Sequence, residues 1–512
     1  MLAAVAASLA SAAVLAADLR WLRVMQREHY IAGSCTAVAL RWAECRPPNQ
    51  YLGPVLAAAG IVALGAWLPD VAAGGALLAA ACAVAFPVGL PLAGSPRRLA
   101  WTPRLRRLAA VCVAGQGLMA AAAVAGGQPA AIGALAVLVP AVVDGAALVM
   151  GPVEALAARR YRVAARAKLA RVAPLVIGVT GSYGKTSAKN HVRGLLGGIF
   201  EVVASPASWN NSAGLCRTVN EYVTEDTRVL VAEMGTYGPG EIRAMCAWLR
   251  PEIGVITAIG PVHLERMKTL DVVLAAKSEL LDGVRSAVLN TDDERLARLA
   301  DAAGCAEVWR CGTKGQPGLD VSLEREDDSV TVRVRGEIAG FLDPQPGVHL
   351  GNVACALGAA LAAGAPRDKV LGRLSELVVP AHRAATGVSD SGVVVIDDTC
   401  NSNPSGARHA LDLLVHAIPE PGRRAVITPG MVELGPVQDA ENRAFAAAVA
   451  GAGAQLVVVG WTNRRALMAG ARDGGAEVIT VASRPAARHW VRSALSAGDG
   501  VLWENDLPDH YP

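Results

Sequence analysis

Five uninterrupted apolar stretches in the first third of the sequence constrain this chain more than any other feature. They cover residues 2–18, 52–68, 71–94, 108–126 and 130–150. Each is near the roughly 17 to 25 residues that an α-helix needs to cross the hydrocarbon core of a bilayer. The pattern therefore predicts an α-helical transmembrane region of about five helices over residues 1–151.

The basic residues of this region predict its orientation. The segments 19–51 and 96–107 each carry five arginines, whereas the connectors at 69–70 and 127–129 carry no basic residue. Arginine is enriched in loops that stay on the cytoplasmic side. We therefore expect a multi-pass protein of the plasma membrane with its N-terminus outside and everything after the fifth span in the cytoplasm. A secretory signal over the first stretch is the alternative, but that stretch lacks a basic start.

Two further charged features accompany these stretches. Six basic residues lie from Arg159 to Arg171, which predicts a basic juxtamembrane helix over 152–173 that docks on anionic membrane lipids. Asp144 lies inside the fifth stretch. An acid at such a position is either a functional group or a polar contact within the helix bundle.

The charge of the chain is unevenly divided between its two parts. The net charge of +3 is made up of +5 in the first 150 residues and −2 in the remaining 362. Because no basic face is indicated in the larger part, we expect no nucleic-acid partner. About 340 residues follow the predicted juxtamembrane helix, which exceeds the usual domain of roughly 100 to 200 residues and predicts two further domains.

A phosphate-binding loop begins this second part. An apolar run at 175–180 leads into the sequence TGSYGKTS at 180–187, and a helical pattern then continues to about residue 198. Glycines let backbone N–H groups turn toward phosphate, and the helix N-terminus adds positive potential. A lysine here can reach the β- and γ-phosphates, and the next hydroxyl can bind Mg²⁺. The predicted nucleotide-binding residues of the loop are Gly181, Ser182, Gly184, Lys185, Thr186 and Ser187.

Six motifs in a fixed order resemble the Mur ligase family, and most closely its D-alanyl-D-alanine-adding branch. They are TGSYGKT at 180–186, NNSAG at 210–214, VAEMG followed by PGEI at 231–242, IGPVHLE at 259–265, AKSE at 276–279 and LNTDD at 289–293. The resemblance covers about residues 174 to 512.

This resemblance implies an ATP-dependent, ADP-forming acid–amino-acid ligase. Members of the family use ATP to convert a carboxylate into an acyl phosphate, which an amine then attacks. Charge on the γ-phosphate and acyl oxygens must be offset by cationic side chains and by two Mg²⁺ ions. The implied catalytic residues are Lys185, His263 and Lys277.

The resemblance also implies a set of metal ligands and further nucleotide contacts. Thr186 and Glu233 would bind the first Mg²⁺. His263 and Lys277 would serve the second, with Lys277 N-carbamoylated by CO₂ so that a cation becomes a carboxylate-like ligand. Asn210 and Asn211 would contact the region of the γ-phosphate or acyl group.

After about residue 380 the pattern indicates a second α/β domain. Apolar runs at 393–396, 425–428 and 456–460 alternate with helical stretches, as in a doubly wound sheet. Three segments resemble family motifs: GNVAC at 351–355, DDTCNSNP at 397–404 and GMVELG at 430–435. By this resemblance Asn352, Arg383 and Asp398 contact the nucleotide. The family's KGSR tail is replaced by WENDLPDHYP at 503–512, a change that bears on the acceptor amine.

The expected architecture is an α-helical transmembrane region followed by two α/β domains. The first would be a P-loop NTPase-like central domain over 174–380 and the second a Rossmann-like domain over 381–512. The expected reaction joins an amino acid or dipeptide to a cell-wall precursor that is either UDP-linked or lipid-linked, because soluble family members hold uridine diphosphate in a front domain where this chain has apolar stretches. Two alternatives remain, a capsule or γ-glutamyl polymer ligase of the same superfamily and a membrane transporter driven by the P-loop domain.

Overall fold

The chain forms two compact units in a computed structural model. The model describes residues 2–90, 99–326, 329–343, 347–377, 383–400, 402–508 and 510–512. The helical unit comprises the chain up to residue 157 together with 460–462 and 507–512, and the α/β unit comprises 158–459 and 463–506. The predicted domain boundary at 380/381 lies outside the described residues, as do Arg97 and Arg98 of the second Arg-rich segment.

Six α-helices begin in the part of the helical unit that the structure describes, and five of them overlap the predicted apolar stretches. They are α1 (Leu2–Arg27), α2 (Ser34–Cys45), α3 (Pro47–Gly65), α4 (Pro69–Ala85), α5 (Pro103–Ala125) and α6 (Ile132–Val172). Among the described residues, three helical segments are long and apolar enough to cross a membrane: Leu2–Arg27, Pro103–Ala125 and Pro129–Val172. The shorter α4 is also apolar. The count of five spans stays a prediction.

The first helix is longer than the sequence pattern indicated, and it includes residues assigned above to a loop. Arg20 and Arg23 lie within α1 and are buried inside the helical unit. The Arg20 guanidinium donates to the carbonyl oxygens of Val84 at 2.8 Å and Ala83 at 3.3 Å, and to that of Phe86. These carbonyls lie at the C-terminal end of α4, where helical backbone acceptors lack partners. The buried Arg20 thus supplies hydrogen-bond donors to the carbonyl groups at the end of α4.

Asp144 serves a helix end in the same way. Its carboxylate accepts hydrogen bonds from the backbone N–H of Cys35 at 3.1 Å and of Thr36 at 2.9 Å, and from the Thr36 hydroxyl at 2.6 Å. Gly33 precedes α2 and supplies no side-chain cap. Asp144 therefore caps α2 from a distant part of the chain, which identifies it as a polar contact of the bundle.

The end of the chain belongs to the helical unit. The Trp42 indole N–H donates to the His510 carbonyl at 2.8 Å, and the His510 ring nitrogen Nε2 lies 2.8 Å from Glu28. The Arg41 guanidinium stacks over the Tyr511 ring at 4.7 Å. The replacement of the family tail, expected to bear on the acceptor amine, thus has a packing role in the helical unit.

The predicted juxtamembrane helix is not a separate element. It forms the last part of α6, which continues through Val172. Ala165 and Leu169 are buried in an apolar cluster of the α/β unit. Lys168 donates to the Asn220 carbonyl at 3.0 Å, and Arg171 pairs with Glu225 at 2.8 Å. Part of the basic cluster expected to meet lipid headgroups therefore contacts protein.

The α/β unit contains two sheets, as the fold prediction stated. The first has nine strands in the order β2-β3-β1-β4-β5-β6-β7-β8-β9, parallel from β2 to β7 and antiparallel from β7 to β9. Its strands are β1 (Leu175–Thr180), β2 (Val202–Ala204), β3 (Val229–Glu233), β4 (Ile253–Ile256), β5 (Ser286–Asn290), β6 (Glu307–Gly312), β7 (Val321–Glu326), β8 (Ser329–Val334) and β9 (Glu337–Leu342). Its helices are α7 (Lys185–Leu196), α8 (Ser212–Tyr222), α9 (Glu241–Leu249), α10 (Leu264–Met267), α11 (Leu270–Ser278), α12 (Glu294–Ala302), α13 (Leu350–Ala362) and α14 (Arg367–Leu371).

The second sheet has six strands in the order β10-β11-β15-β12-β13-β14, and all neighbours except β10 and β11 are parallel. Its strands are β10 (Ala385–Val388), β11 (Val394–Asp398), β12 (Arg424–Thr428), β13 (Gln455–Val459), β14 (Val478–Val481) and β15 (Gly500–Glu504). The helices are α15 (Pro404–Ala417), α16 (Gln438–Gly451), α17 (Arg464–Asp473) and α18 (Arg484–Ala494). Central parallel strands are buried on both faces, which explains why they read as apolar runs in the sequence.

The capping role of Asp144 generates a stability prediction. Asp144→Ala leaves two backbone donors of α2 without their acceptor, so we expect the detergent-solubilised protein to lose about 1 to 3 kcal/mol of unfolding free energy. Asp70 is the matched control, because it is an exposed acid in the first turn of α4. Asp70→Ala should cost less than about 1 kcal/mol. Equal losses in chemical denaturation would argue against the capping role.

Candidate active site

The phosphate-binding loop lies between β1 and α7, where the sequence placed it. Gly184 has φ +76°, and a Cβ on it would lie 2.1 Å from the Asn352 amide oxygen. Glycine is therefore required here both by backbone conformation and by the close approach of α13. The packing also brings Asn352, a predicted nucleotide contact, against the loop.

The Lys185 side chain folds back over the loop. Its ammonium donates to the carbonyl oxygens of Gly181 at 2.8 Å and Ser182 at 3.2 Å. The Ser182 hydroxyl is buried and bonds with the backbone of Gly260, so this side chain joins the loop to the segment before α10. Thr186 and Ser187 lie in the first turn of α7, and Arg383 reaches the Thr186 hydroxyl at 3.5 Å.

Glu233 stands at the end of β3, beside the loop. The strand is paired in parallel with β1 so that Glu233 lies opposite Val179. The carboxylate accepts a hydrogen bond from the Asn210 amide at 3.1 Å, and Lys189 lies 3.2 Å from its other oxygen, Oε2. That oxygen is buried, and the Lys189 ammonium is its ion-pair partner. A carboxylate at this edge of the sheet, beside a P-loop threonine, fits the needs of a Mg²⁺ ion.

Several basic side chains are buried in this part of the α/β unit. Lys189 and Lys277 are each about 1% exposed. Burial lowers the pKa of Lys185 to about 8, lowers that of Lys189, and lowers that of Lys277 well below its usual range. Glu233 opposes the shift at Lys185, whereas Arg383 adds to it. Lys185 in turn depresses the pKa of Lys277, so the predicted catalytic lysines share one electrostatic environment.

His263 lies at the start of α10 and is held by a residue of the second sheet. Its Nδ1 is 2.5 Å from Glu433 Oε2, and the Tyr237 ring packs edge-on against the imidazole at a centroid distance of 4.9 Å. Arg266 covers the Tyr237 ring. A carboxylate only accepts hydrogen bonds, so Nδ1 is the donor in this contact, and Nε2 is the ring nitrogen that Glu433 leaves without a partner.

Two of the predicted nucleotide contacts have structural partners. Asn211 caps α8 by accepting from the Gly214 N–H at 2.9 Å. Asp398 ends β11 and accepts from the Ala384 N–H at 3.1 Å. Burial raises the pKa of Asp398 to about 6, and Arg383 opposes that shift. Direct nucleotide contact by either residue stays a prediction.

The metal prediction depends on few protein ligands. Within the described part of the chain, no group of three or more histidine, cysteine, aspartate and glutamate residues lies together. Glu233 and the Thr186 hydroxyl suit a first ion that phosphate oxygens also bind. An ammonium on Lys277 would repel a second ion, so a site there requires the amine to become a carbamate.

Comparison with known proteins agrees with this geometry. The family model for the Mur ligase middle domain matches residues 179–363, and that for the Mur ligase glutamate ligase domain matches 382–504. The UDP-N-acetylmuramoyl-tripeptide–D-alanyl-D-alanine ligase of Mycobacterium leprae is 34% identical over 437 residues, covering 75% of this chain and 84% of that protein. The chain belongs to the Mur ligase family. It is an ATP-dependent, ADP-forming ligase.

Other relatives and solved structures support the family assignment. The enzyme of the same name from Bacillus subtilis is 32% identical, covering 56% of this chain and 62% of its own length. MurF from Thermotoga maritima, solved in complex with ADP, matches with a TM-score of 0.58 at 22% identity, over 68% of this chain and 80% of that one. MurF from Acinetobacter baumannii matches with a TM-score of 0.57 at 21% identity, over 67% of this chain and 76% of that one. These structures share the fold of this Mur ligase.

Two residues of the site escaped the sequence analysis. Lys189 lies four residues after the P-loop lysine, on the same face of α7. That spacing in the sequence could have indicated a second lysine at the site. Glu433 stood in the recognised GMVELG motif, but no role was assigned to it because its partner is 170 positions away.

Proposed function

We propose that this Mur ligase joins D-alanyl-D-alanine to the peptide carboxylate of a cell-wall precursor, the reaction for which its M. leprae and B. subtilis relatives are named. The observation that carries the proposal is the excess of buried positive charge at the phosphate-binding loop. Lys189 pairs with Glu233 at 3.2 Å, and Lys185 lies in the field of both Glu233 and Arg383. Buried charges require partners, and the polyanionic phosphates of ATP supply them.

The residues divide the reaction between them. The substrate carboxylate attacks the γ-phosphorus of ATP, the bond to ADP breaks, and an acyl phosphate forms. The amine of the dipeptide then attacks the acyl carbon, phosphate leaves, and the amine loses a proton. Lys185 stabilises charge on the transferring phosphoryl group. Glu233 and Thr186 would hold Mg²⁺, which supplies charge neutralisation on the phosphate oxygens, and Asn210 fixes the Glu233 carboxylate.

The first test removes charge from the phosphate site. Lys185→Ala should reduce ADP formation dependent on D-alanyl-D-alanine by about 10²- to 10³-fold, because one preorganised charge-stabilising group is lost. Lys369, exposed on α14, is the matched control, and Lys369→Ala should retain activity. Near-normal ligation by Lys185→Ala would reject the assigned role. Amine-independent ATP turnover coupled to transport would instead favour the transporter alternative.

We propose that Lys277 is carbamoylated in the active enzyme. CO₂ reacts with a neutral amine, and burial together with Lys185 holds the pKa of Lys277 well below its usual range. Burial and the charge of Lys185 thus both favour the neutral amine, which is the form that reacts with CO₂ and then releases a proton as the carbamate forms. The resulting carboxylate would face the neighbouring lysine and could serve as a ligand for a second Mg²⁺.

The carbamate is detectable without an activity assay. Protein equilibrated with ¹³C-bicarbonate should give one carbamate resonance by ¹³C NMR in the wild type and in Lys369→Ala, and none in Lys277→Ala. Added short carboxylates should restore part of the activity of Lys277→Ala. Identical spectra for the wild type and Lys277→Ala would contradict the modification.

We further infer that the helical unit is a multi-pass domain of the plasma membrane with the ligase part in the cytoplasm. Large apolar side chains are exposed on its helices, among them Ile61, Leu64 and Leu118, as expected for surfaces that meet lipid. The chain's end contacts the Arg-rich segment between α1 and α3 through Trp42 and Glu28. The two segments therefore lie on the same side of the membrane, which agrees with the positive-inside orientation.

A membrane location favours a lipid-linked precursor over a UDP-linked one as the acyl substrate. To test this, the full chain is compared with a truncated chain on both substrates. Truncation at Ala158 keeps Ala165 and Leu169, which are buried in the α/β unit, whereas a start at Arg171 would remove them. The full chain should prefer the lipid-linked precursor relative to the folded truncated chain. If both chains use the two substrates with the same relative efficiency, the helical unit serves only as a membrane anchor.

A further inference from the structure

Two segments that belong to different sheets meet at His263. The first segment, 259–267, follows β4 and contains His263; the second, 430–437, follows β12 and contains Glu433. Besides the 2.5 Å contact between these two side chains, Val437 packs against the apolar cluster that includes Ile259 and Leu264. We call the contact between the two segments the His263 seam.

The backbones approach each other closely at this seam. A Cβ on Gly435 would lie 2.9 Å from the Leu264 carbonyl carbon and 3.0 Å from the Glu265 nitrogen, and Gly435 has φ +56°. His263 and Glu433 themselves have φ of +56° and +65°. Left-handed backbone at residues other than glycine is strained and is retained where surrounding structure demands it. The two segments are thus held in defined backbone conformations where they touch, and a side chain at position 435 would not fit between them.

The second segment is held firmly to its own domain. Asn442 is fully buried, donates to the Met431 carbonyl at 2.9 Å and accepts from the Met431 N–H at 2.8 Å. Asn463 also donates to the Met431 carbonyl, at 3.0 Å. Glu433 therefore moves with the C-terminal domain, whereas His263 is part of the central domain.

We propose that Glu433 is a positioning residue that orients His263 only when the C-terminal domain is closed on the central domain. By accepting from Nδ1–H, the carboxylate fixes the ring so that Nε2 presents its lone pair to the second metal position. This inference rests on the proposed role of His263. Its consequence is that the carboxylate-activating centre is completed by the domain that brings the amine, so that acyl phosphate is made only where it can be captured.

The test separates orientation of His263 from simple domain attachment. Glu433→Ala, Glu433→Gln and Gly435→Ala are compared in the full chain with Asp439→Asn, an exposed acid on α16. We expect Glu433→Ala to lower kcat by about 10- to 100-fold and to raise the Mg²⁺ concentration for half-maximal activity, with the KM for ATP unchanged. Glu433→Gln should recover most of the activity, because its amide oxygen still accepts from Nδ1–H. Asp439→Asn should match the wild type.

Domain closure supplies a readout that does not need turnover. Fluorophores incorporated at exposed positions 298 and 472 report the distance between the domains in the presence of ADP and Mg²⁺. Gly435→Ala should reduce the closed fraction, because its added methyl group collides with the Leu264 backbone. Asp439→Asn should leave it unchanged.

Each result bears on a different claim. Wild-type kcat and Mg²⁺ dependence in Glu433→Ala would overturn the positioning role while leaving the proposed ligase function intact. Loss of ATP affinity in that variant to the same extent as kcat would also overturn it, because Glu433 would then act only through folding. If the wild type fails to ligate D-alanyl-D-alanine, the proposed substrate is wrong. A closed fraction unaffected by Gly435→Ala would in any case refute the seam as a closure contact.

Discussion

The site depends on the burial of basic side chains that outnumber their anionic partners. Lys189 balances Glu233 at 3.2 Å, which leaves Lys185 and Lys277 without an anion of their own among the described residues. Their depressed pKa values measure the cost of holding them out of water. An anion bound beside Lys185 would favour the charged form of this lysine and so oppose the effect of burial on its pKa. The strand order explains the placement, because β1 and β3 are neighbours and end at the same edge of the sheet.

The helical unit handles its buried charges by a different physical route. Asp144 and Arg20 are both satisfied by backbone groups at helix ends. In apolar surroundings an unpaired N–H or C=O costs far more than in water, so a charged side chain that reaches such an end stabilises two groups at once. These charged side chains therefore stabilise the helix packing, and the residues assigned to the reaction lie in the α/β unit.

The sequence analysis succeeded where the determining interactions are local. The loop at 180–187 and the strand before Glu233 were predicted because a strand, its turn and the next helix are encoded in consecutive residues. It was less successful for contacts between distant positions. Thr36 and Asp144 are 108 positions apart and His263 and Glu433 are 170 apart, so no local pattern links them. The continuity of α6 was missed because a change from apolar to basic composition signals a change of environment without ending a helix.

An acyl phosphate that forms before the amine is in place is exposed to hydrolysis unless water is excluded, which sets a requirement on the order of events. A phosphate-binding loop that was complete in the central domain alone would allow activation before the amine was in place. The strained backbone at His263 and Glu433 is consistent with a centre assembled from two domains, because neither conformation is favourable by itself and each is held by contact with the other segment. Gly435 permits that contact by leaving no side chain in the way. The seam is therefore a contact between two segments that fit each other closely, and it joins the histidine of one domain to the carboxylate of the other.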